Sequence, residues 1–174
     1  MHPISTDIAF ATPYFEILAK TMRPGEPPWY SLRLPDYVSV LPMTSDGRIV
    51  LVRQYRPAVE RVTLELPSGL VDPGETPLDT ARRELLEETA YEAGAVKSLG
   101  AMLPDTGRLG NRIWTCVATG VRPAPGRAPE AGMEIVLYTP LELFDSVKAG
   151  VFDHALHVAA LLAAQLHGKI QIHG

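Results

Sequence analysis

The chain reads as a mixed α/β sandwich, a sheet held between helices. Two observations carry that expectation. Short β-rich runs alternate with a few helical segments along the whole length. The 174 residues, 46% of them apolar, suit one continuous core and contain no internal repeat or low-complexity tract.

Residues 13–22 (PYFEILAKTM) read as an early strand, and Arg23–Pro28, rich in Pro and Gly, as a loop. Tyr37–Met43 and Arg48–Tyr55 are β-rich runs joined by Thr44-Ser45-Asp46-Gly47, where the Asp-Gly pair signals a hairpin. Val62–Leu66 is a further short strand. Pro67-Ser68-Gly69 and Asp72-Pro73-Gly74 punctuate a loop. A helix follows, with Thr76 at the N-cap, Pro77 at the first helical position and Asp79 where a capping-box acid sits. It is expected to reach Thr89 or a few residues beyond. Strands follow at Ala95–Met102, Arg112–Gly120 and Glu134–Thr139, then helices at about Pro140–Lys148 and Asp153–His167. In the last helix Ala155, Val158, Leu161, Leu162 and Leu166 form the expected core-facing stripe.

Composition narrows the function. Net charge is −4, which argues against general nucleic-acid binding while leaving room for a small phosphorylated ligand. The start, MHPISTDIAF, lacks a basic segment followed by an apolar core and is a poor signal peptide. The longest apolar stretch, Val158–Leu166, is too short to span a bilayer. The lone Cys116 cannot form an intramolecular disulfide and reads as a buried reduced thiol. The expected setting is soluble and cytoplasmic, without membrane or nucleic-acid partners.

The helix after Thr76 carries the chemistry. Leu78, Ala81 and Leu85 fall on one face and are expected in the core. Glu84 and Glu88 stack four residues apart, and Glu87 flanks them. Like charges at that spacing repel, and Arg83 can reach Glu87 at i,i+4, but one Arg does not neutralise three acids. Hard oxygen ligands in this arrangement suit Mg²⁺ or Mn²⁺. A glutamate-rich helix face alone is most often just a solvated surface. The wider spacing changes that reading: Gly69, five residues, Glu75, seven residues, then Arg83-Glu84-Leu85-Leu86-Glu87-Glu88-Thr89-Ala90-Tyr91.

This pattern resembles the Nudix box, the signature of the Nudix hydrolases. The resemblance implies the Nudix fold, a mixed sheet between helices in an α/β/α sandwich, and Mg²⁺- or Mn²⁺-dependent hydrolysis of nucleoside diphosphates linked to a further group. It implies metal bound by Glu84 and Glu88, with Glu87 as a further ligand or acting through water, and the Ser68 carbonyl as another donor. Arg83 would orient the acids, and Glu75 would lie close by. The box normally has Gly where Ala90 stands, so the helix is also expected to continue to about Ala93 and stop at Gly94.

Leu51–Gly74 (LVRQYRPAVERVTLELPSGLVDPG) is similar to the segment before the box in ADP-ribose pyrophosphatases and related nucleoside diphosphate sugar hydrolases. Leu103–Gly107 stands where those enzymes carry a proline-containing loop, and the likeness covers roughly residues 37–166. Residues 1–36 are then an extension with a possible dimer-forming role, and 37–174 the hydrolase domain. The implied reaction cleaves ADP-ribose or a similar substrate to a nucleoside monophosphate and a sugar phosphate. Alternatives are a hydrolase of nucleoside triphosphates or dinucleoside polyphosphates, and a non-catalytic nucleotide-binding module.

In enzymes of this kind the general base comes from a loop after the box, which here offers Glu130 and Glu134 without a choice between them. Glu65 reads as a partner of Arg83 or as a site acid. Arg56 matches the family's QYR and reads as a phosphate or dimer-partner contact. Arg108 and Arg112 flank the Pro104 loop as further substrate contacts. Trp29 reads as a base-stacking residue or as core packing. The family also implies a homodimer.

Overall fold

The computed structural model describes residues 2–171; the outermost residues of the two expected segments, 1 and 172–174, lie outside it. Eleven strands and three helices are present among the described residues. The first three strands, β1 (Ser5–Ala11), β2 (Glu16–Thr21) and β3 (Trp29–Arg33), form a separate antiparallel sheet in that order. Sequence reading found only the middle one. β1 is exposed along its whole length and β3 is short, so neither shows the alternation that a half-buried strand displays.

The main sheet contains β4 (Tyr37–Thr44), β5 (Ile49–Arg56), β6 (Arg61–Glu65), β7 (Ser68–Leu70), β8 (Tyr91–Glu92), β9 (Ala95–Met102), β10 (Ile113–Pro123) and β11 (Glu134–Tyr138). β10 runs parallel to β4, and the other pairings are antiparallel, so the sheet is mixed. The Asp46-Gly47 turn joins β4 to β5, with Gly47 at φ 81°, a conformation that favours Gly. Ser68–Leu70 is a strand, not the loop its Pro and Gly suggest, because it pairs with Tyr37–Ser39.

Period-two alternation sends neighbouring residues to opposite faces. Val38, Val40, Val50, Cys116 and Ala118 meet Ala81 and Leu85 of helix α1 (Pro77–Thr89) on one face. Leu41, Ile49, Leu51 and Val117 meet α2 (Pro140–Lys148) and α3 (Ala155–Leu166) on the other. The α/β/α sandwich is therefore present, and Cys116 is fully buried with its thiol pushed up to about 11 by that burial.

Three local expectations need correction. Leu78 is more exposed than core, since only Ala81 and Leu85 face the sheet squarely. The inner face of α3 is His157, Ala160, Leu161 and Ala164; Leu162 and Leu166 are 53% and 78% exposed, and Ala155 is exposed too. All the residues on that face are small or apolar except His157, so a stripe chosen by apolar size alone was rotated off the true one. Helix α1 does not continue to Ala93. Its capping box forms as expected, and it stops at Thr89 because Ala90 turns to φ 58°, ψ 26°.

Tertiary pairing compensates for that turn. The Ala90 carbonyl accepts from Ala124 N–H at 2.8 Å, and Tyr91–Glu92 pair with Arg122–Pro123. Left-handed backbone costs a non-Gly residue roughly 1–2 kcal/mol, more when β-branched. Ala90→Gly recovers that cost but loses a buried methyl worth about 0.8 kcal/mol, so its melting temperature should move by no more than about 2–4 °C. Ala90→Val should lose roughly 2 kcal/mol and lower it by about 4–8 °C. Thermal unfolding of the two variants checks both.

Candidate active site

Gly69 in β7 crosses directly over α1. A Cβ placed there would lie 2.0 Å from Glu84 Oε1 and 2.2 Å from its carboxyl carbon, so only Gly lets this carboxylate rest against the strand. One turn further on, Glu88 Oε2 accepts from Ser68 N–H at 2.9 Å. Tyr37, at the start of β4, donates its hydroxyl to Ser68 Oγ at 2.5 Å. Glu84 and Glu88 are thus nearly enclosed, whereas Glu87 is 55% exposed.

Arg83 organises the acids. Its Nε and Nη2 hold Glu75 at 2.9 and 3.0 Å. Its Nη1 donates to Glu84 Oε1 at 2.7 Å and to Glu87 Oε2 at 3.2 Å. Nη2 also reaches the Leu70 carbonyl at 3.1 Å. The Arg83 and Thr80 hydrogen bonds hold the Glu75 carboxyl at about 2. Arg83 itself is pushed upward, above all by Glu75.

Burial works against the remaining acids. It pushes Glu88 up to about 8, with the Ser68 N–H opposing and Glu84 adding repulsion. Glu84 is also raised by burial, against the pull of Arg83. Of these two enclosed carboxylates Glu84 has only a share of Arg83 and Glu88 has no ion-pair partner among the described residues, so the pair is short of positive charge. Backed by a serine whose carbonyl lies on the adjoining strand, they are a hard-oxygen donor set that fits Mg²⁺ or Mn²⁺.

The acids adjoin a cleft of about 420 Å³ whose lining includes Tyr37, Arg56, Ser68, Gly69, Pro104 and His154. Arg56 grips Glu65 with two bonds, Nε to Oε1 at 2.9 Å and Nη2 to Oε2 at 2.7 Å. Burial would raise Glu65, but Arg56 and the Thr63 hydroxyl overcome it and hold the carboxyl at about 2. Glu65 is therefore the partner of Arg56, not of Arg83, whose fork Glu75 already occupies. Sequence separation could not reveal this, since it depends on the register of β5 against β6.

The other expected contacts divide by position. Trp29 is half exposed rather than core; its Nε1 donates to the Gly107 carbonyl at 3.2 Å, and the Arg108 guanidinium stacks 4.1 Å above its ring. β3 also bonds to the loop through Leu32 N–H to the Arg108 carbonyl. Arg112 gives its backbone N–H to Asp36 and does not line the cleft. Glu130 stands beside the glutamate helix, its N–H bonded to the Glu87 carbonyl at 2.9 Å. Glu134 is 64% exposed and paired with Arg53 at 3.2 Å. Two residues from Val136 on the same strand, it shares the face carrying α2 and α3, while Ile135 between them packs on the α1 side, so Glu134 lies across the sheet from the acids.

Sequence reading missed Tyr37, His154 and His157. Tyr37 looked like an ordinary strand start. The His154/His157 spacing at the head of a helix was the available signal.

Residues 33–155 match the NUDIX domain family model, more than half the chain, and the chain belongs to the Nudix family. Among curated relatives it is 34% identical to the ADP-sugar pyrophosphatase of Mus musculus, over 74% of this chain and 64% of that protein. It is 41% identical to the ADP-ribose pyrophosphatase of Bacillus subtilis (strain 168), over 42% of this chain and 40% of that one. The chain thus spans less than two thirds of the length of either. A crystal structure of an ADP compounds hydrolase superimposes with TM-score 0.82 over 99% of this chain and 98% of that one, at 22% identity, and shows the same fold. Among the described residues no helix is long and apolar enough to cross a membrane.

Proposed function

We propose that this protein hydrolyses the pyrophosphate bond of ADP-ribose or a similar nucleoside diphosphate sugar, giving a nucleoside monophosphate and a sugar phosphate. The observation that carries the reading is the pair of enclosed carboxylates, Glu84 and Glu88, packed against Gly69 beside a cleft large enough for a nucleotide. The names of the two pyrophosphatase relatives favour the substrate class.

Glu84, Glu88 and the Ser68 carbonyl would hold Mg²⁺ or Mn²⁺, with Glu87 as a further ligand or acting through water. Such an ion neutralises the pyrophosphate oxygens and acidifies the attacking water. Arg83 keeps Glu84 and Glu87 pointed into one place. Arg56 presents a guanidinium at the cleft wall for a phosphate oxygen, with Glu65 locking its orientation. Trp29 and Arg108 offer a flat, cationic surface beside the Pro104 loop for a nucleobase.

Glu130 is the better candidate for the general base, because its loop is bonded to the glutamate helix while Glu134 is engaged by Arg53 on the opposite face. Glu130→Gln should lower kcat by about 10²–10⁴ and Glu134→Gln by less than about threefold. Steady-state kinetics on both variants decides the assignment; the reverse ranking would return it to Glu134.

A hydrolysis screen with Mg²⁺ or Mn²⁺ over ADP-ribose, GDP-mannose, UDP-glucose, diadenosine polyphosphates and nucleoside triphosphates tests the whole reading. Turnover should be greatest among the diphosphate sugars. Preference for the triphosphates or dinucleosides would point to that other activity, and nucleotide binding without turnover to a sensing module.

We also infer a homodimer through the 1–36 extension. Phe10 and Tyr30 are each at least half exposed and, opposite Ile17 and Ala19 of β2, lie on one face of the three-stranded sheet, an apolar surface that a second copy would cover. Light scattering should give twice the chain mass. We also propose a cytoplasmic location, which cell fractionation tests.

A further inference from the structure

A strand residue sends its N–H and its carbonyl to the same edge, and its two neighbours send theirs to the other. Around β7, Pro67 and Val71 face the β4 side: the Pro67 carbonyl accepts from Val40 N–H, and Val71 N–H donates to the Asp36 carbonyl, both at 2.9 Å. Ser68 is out of phase with them, so both its backbone groups turn toward α1. Its N–H reaches Glu88 Oε2 at 2.9 Å, and its carbonyl leaves on that same edge. One residue thus fixes an acid with one backbone group and offers the other to a metal.

We propose that Tyr37 is a positioning residue for this metal site, an inference that rests on the hydrolase reading above. Its hydroxyl clamps the Ser68 side chain and so holds the Ser68 backbone in register with Glu88. Neither the Tyr37 ring nor the Ser68 hydroxyl belongs to the glutamate pattern; they act on it through the strand.

The need for a clamp lies in β7 itself. The strand has three residues, of which only Ser68 is buried. Gly69 must stay bare to admit Glu84, and Leu70 is exposed. The Ser68 side chain is therefore the one handle by which packing can grip the strand. Tyr37 reaches it across the ladder. Ser68 lies opposite Ser39, and Tyr37, two residues away on β4, is its diagonal neighbour, within range of a long side chain. Ser39 is fully buried, yet its hydroxyl has no partner among the described residues, so it does not compete for Ser68 Oγ. The bond there comes from Tyr37, at 2.5 Å.

Tyr37 is braced in turn. Its N–H donates to the Arg112 carbonyl at 2.9 Å, which ties it to the start of β10. Its ring lies within 10° of parallel to that of His157, centroids 6.4 Å apart. His157, fully buried on α3, accepts from Leu66 N–H on Nδ1 at 3.2 Å. Leu66 and Ser68 are thus gripped from one side by two neighbouring rings, while Glu88 takes the Ser68 N–H on the other. A direct substrate contact is the rival role, since Tyr37 also lines the cleft. A contact of that kind would act on KM for the nucleotide, whereas a clamp acts on the metal.

Tyr37→Phe and Ser68→Ala each remove the clamp and leave the strand pairing intact. In the full chain without substrate, each should weaken Mn²⁺ binding about three- to tenfold, as expected for one lost hydrogen bond, read from the electron paramagnetic resonance signal of the free ion. The double variant should bind within about twofold of Ser68→Ala, because both changes act through one bond. In the metal-free protein, Tyr37→Phe should speed hydrogen exchange at the Ser68 amide by about three- to tenfold. At saturating Mn²⁺, KM for ADP-ribose should move less than about twofold. Unchanged Mn²⁺ affinity, additive losses in the double variant, or a raised KM without a metal defect would overturn the clamp while wild-type turnover keeps the hydrolase reading. A lower melting temperature with unchanged Mn²⁺ affinity would likewise overturn it, leaving Tyr37 a merely structural part. Circular dichroism monitors the fold, and if one single variant fails to fold the other decides. Absence of Mn²⁺ binding and of turnover in the wild type would overturn both readings.

Discussion

Glu88→Gln should abolish most turnover and at the same time stabilise the metal-free protein. Removing one oxygen ligand and its charge should cost several kcal/mol of transition-state stabilisation, at least about a hundredfold in kcat at saturating Mg²⁺. The stability gain follows from linkage. The folded carboxyl titrates at about 8, against 4.5 for its ordinary value, chiefly through burial. Below 4.5 it is protonated in both states and costs nothing. Between 4.5 and 8 the unfolded chain releases the proton and the folded chain keeps it, so stability falls as pH rises and the loss is complete above 8. Gln avoids that loss and can still accept from Ser68 N–H. At pH 8 in chelator the variant should melt several degrees higher, and near pH 4 the two proteins should converge. Matched kinetics and thermal unfolding across that range check both halves. Near-normal turnover, or a lower melting temperature at pH 8, would contradict the role assigned to this acid.

Arg56→Met should be the most destabilising change near the cleft. It leaves the fully buried Glu65 carboxylate without its partner. Breaking such a pair costs about 3–5 kcal/mol, and the 38% exposure of the Arg56 side chain places the expected loss near the lower end, roughly 3 kcal/mol. For a chain of this size that is about 6–12 °C in melting temperature at neutral pH. In the wild type the Glu65 carboxyl is depressed to about 2, so the pair's contribution is complete above about 4.5 and disappears as pH falls through 2. The deficit of Arg56→Met should therefore shrink on acidification. The double variant Arg56→Met, Glu65→Gln should recover part of the stability at neutral pH, which separates an unpaired charge from simple loss of packing.

These two predictions concern acids of opposite legibility. Glu88 stood out because the pattern around it is local: Glu84, Glu87 and Glu88 lie within two helical turns, and Gly69, Glu75 and Arg83 stand at set distances from them. The helix start was equally readable, since Thr76, Pro77 and Asp79 cap it through neighbours only. Glu65 was visible as a residue of interest, but its partner was not. The choice between Arg56 and Arg83 depends on how β5 and β6 align and on Glu75 having filled the Arg83 fork.

By itself the sequence determined the family pattern, the α/β character, the carboxylates suited to a metal and the absence of a disulfide, because spacing and composition encode each of these. Only the tertiary structure decided the rest. Pairing with β10 ended α1 at Ala90, since the bonds made there outweigh the cost of left-handed backbone. Alternation along β11 turned Glu134 away from the site and left Glu130 beside it. Packing of α3 on the sheet brought His154 to the cleft and buried His157 beneath it, a convergence of residues some ninety positions from Glu65 that no local rule could anticipate.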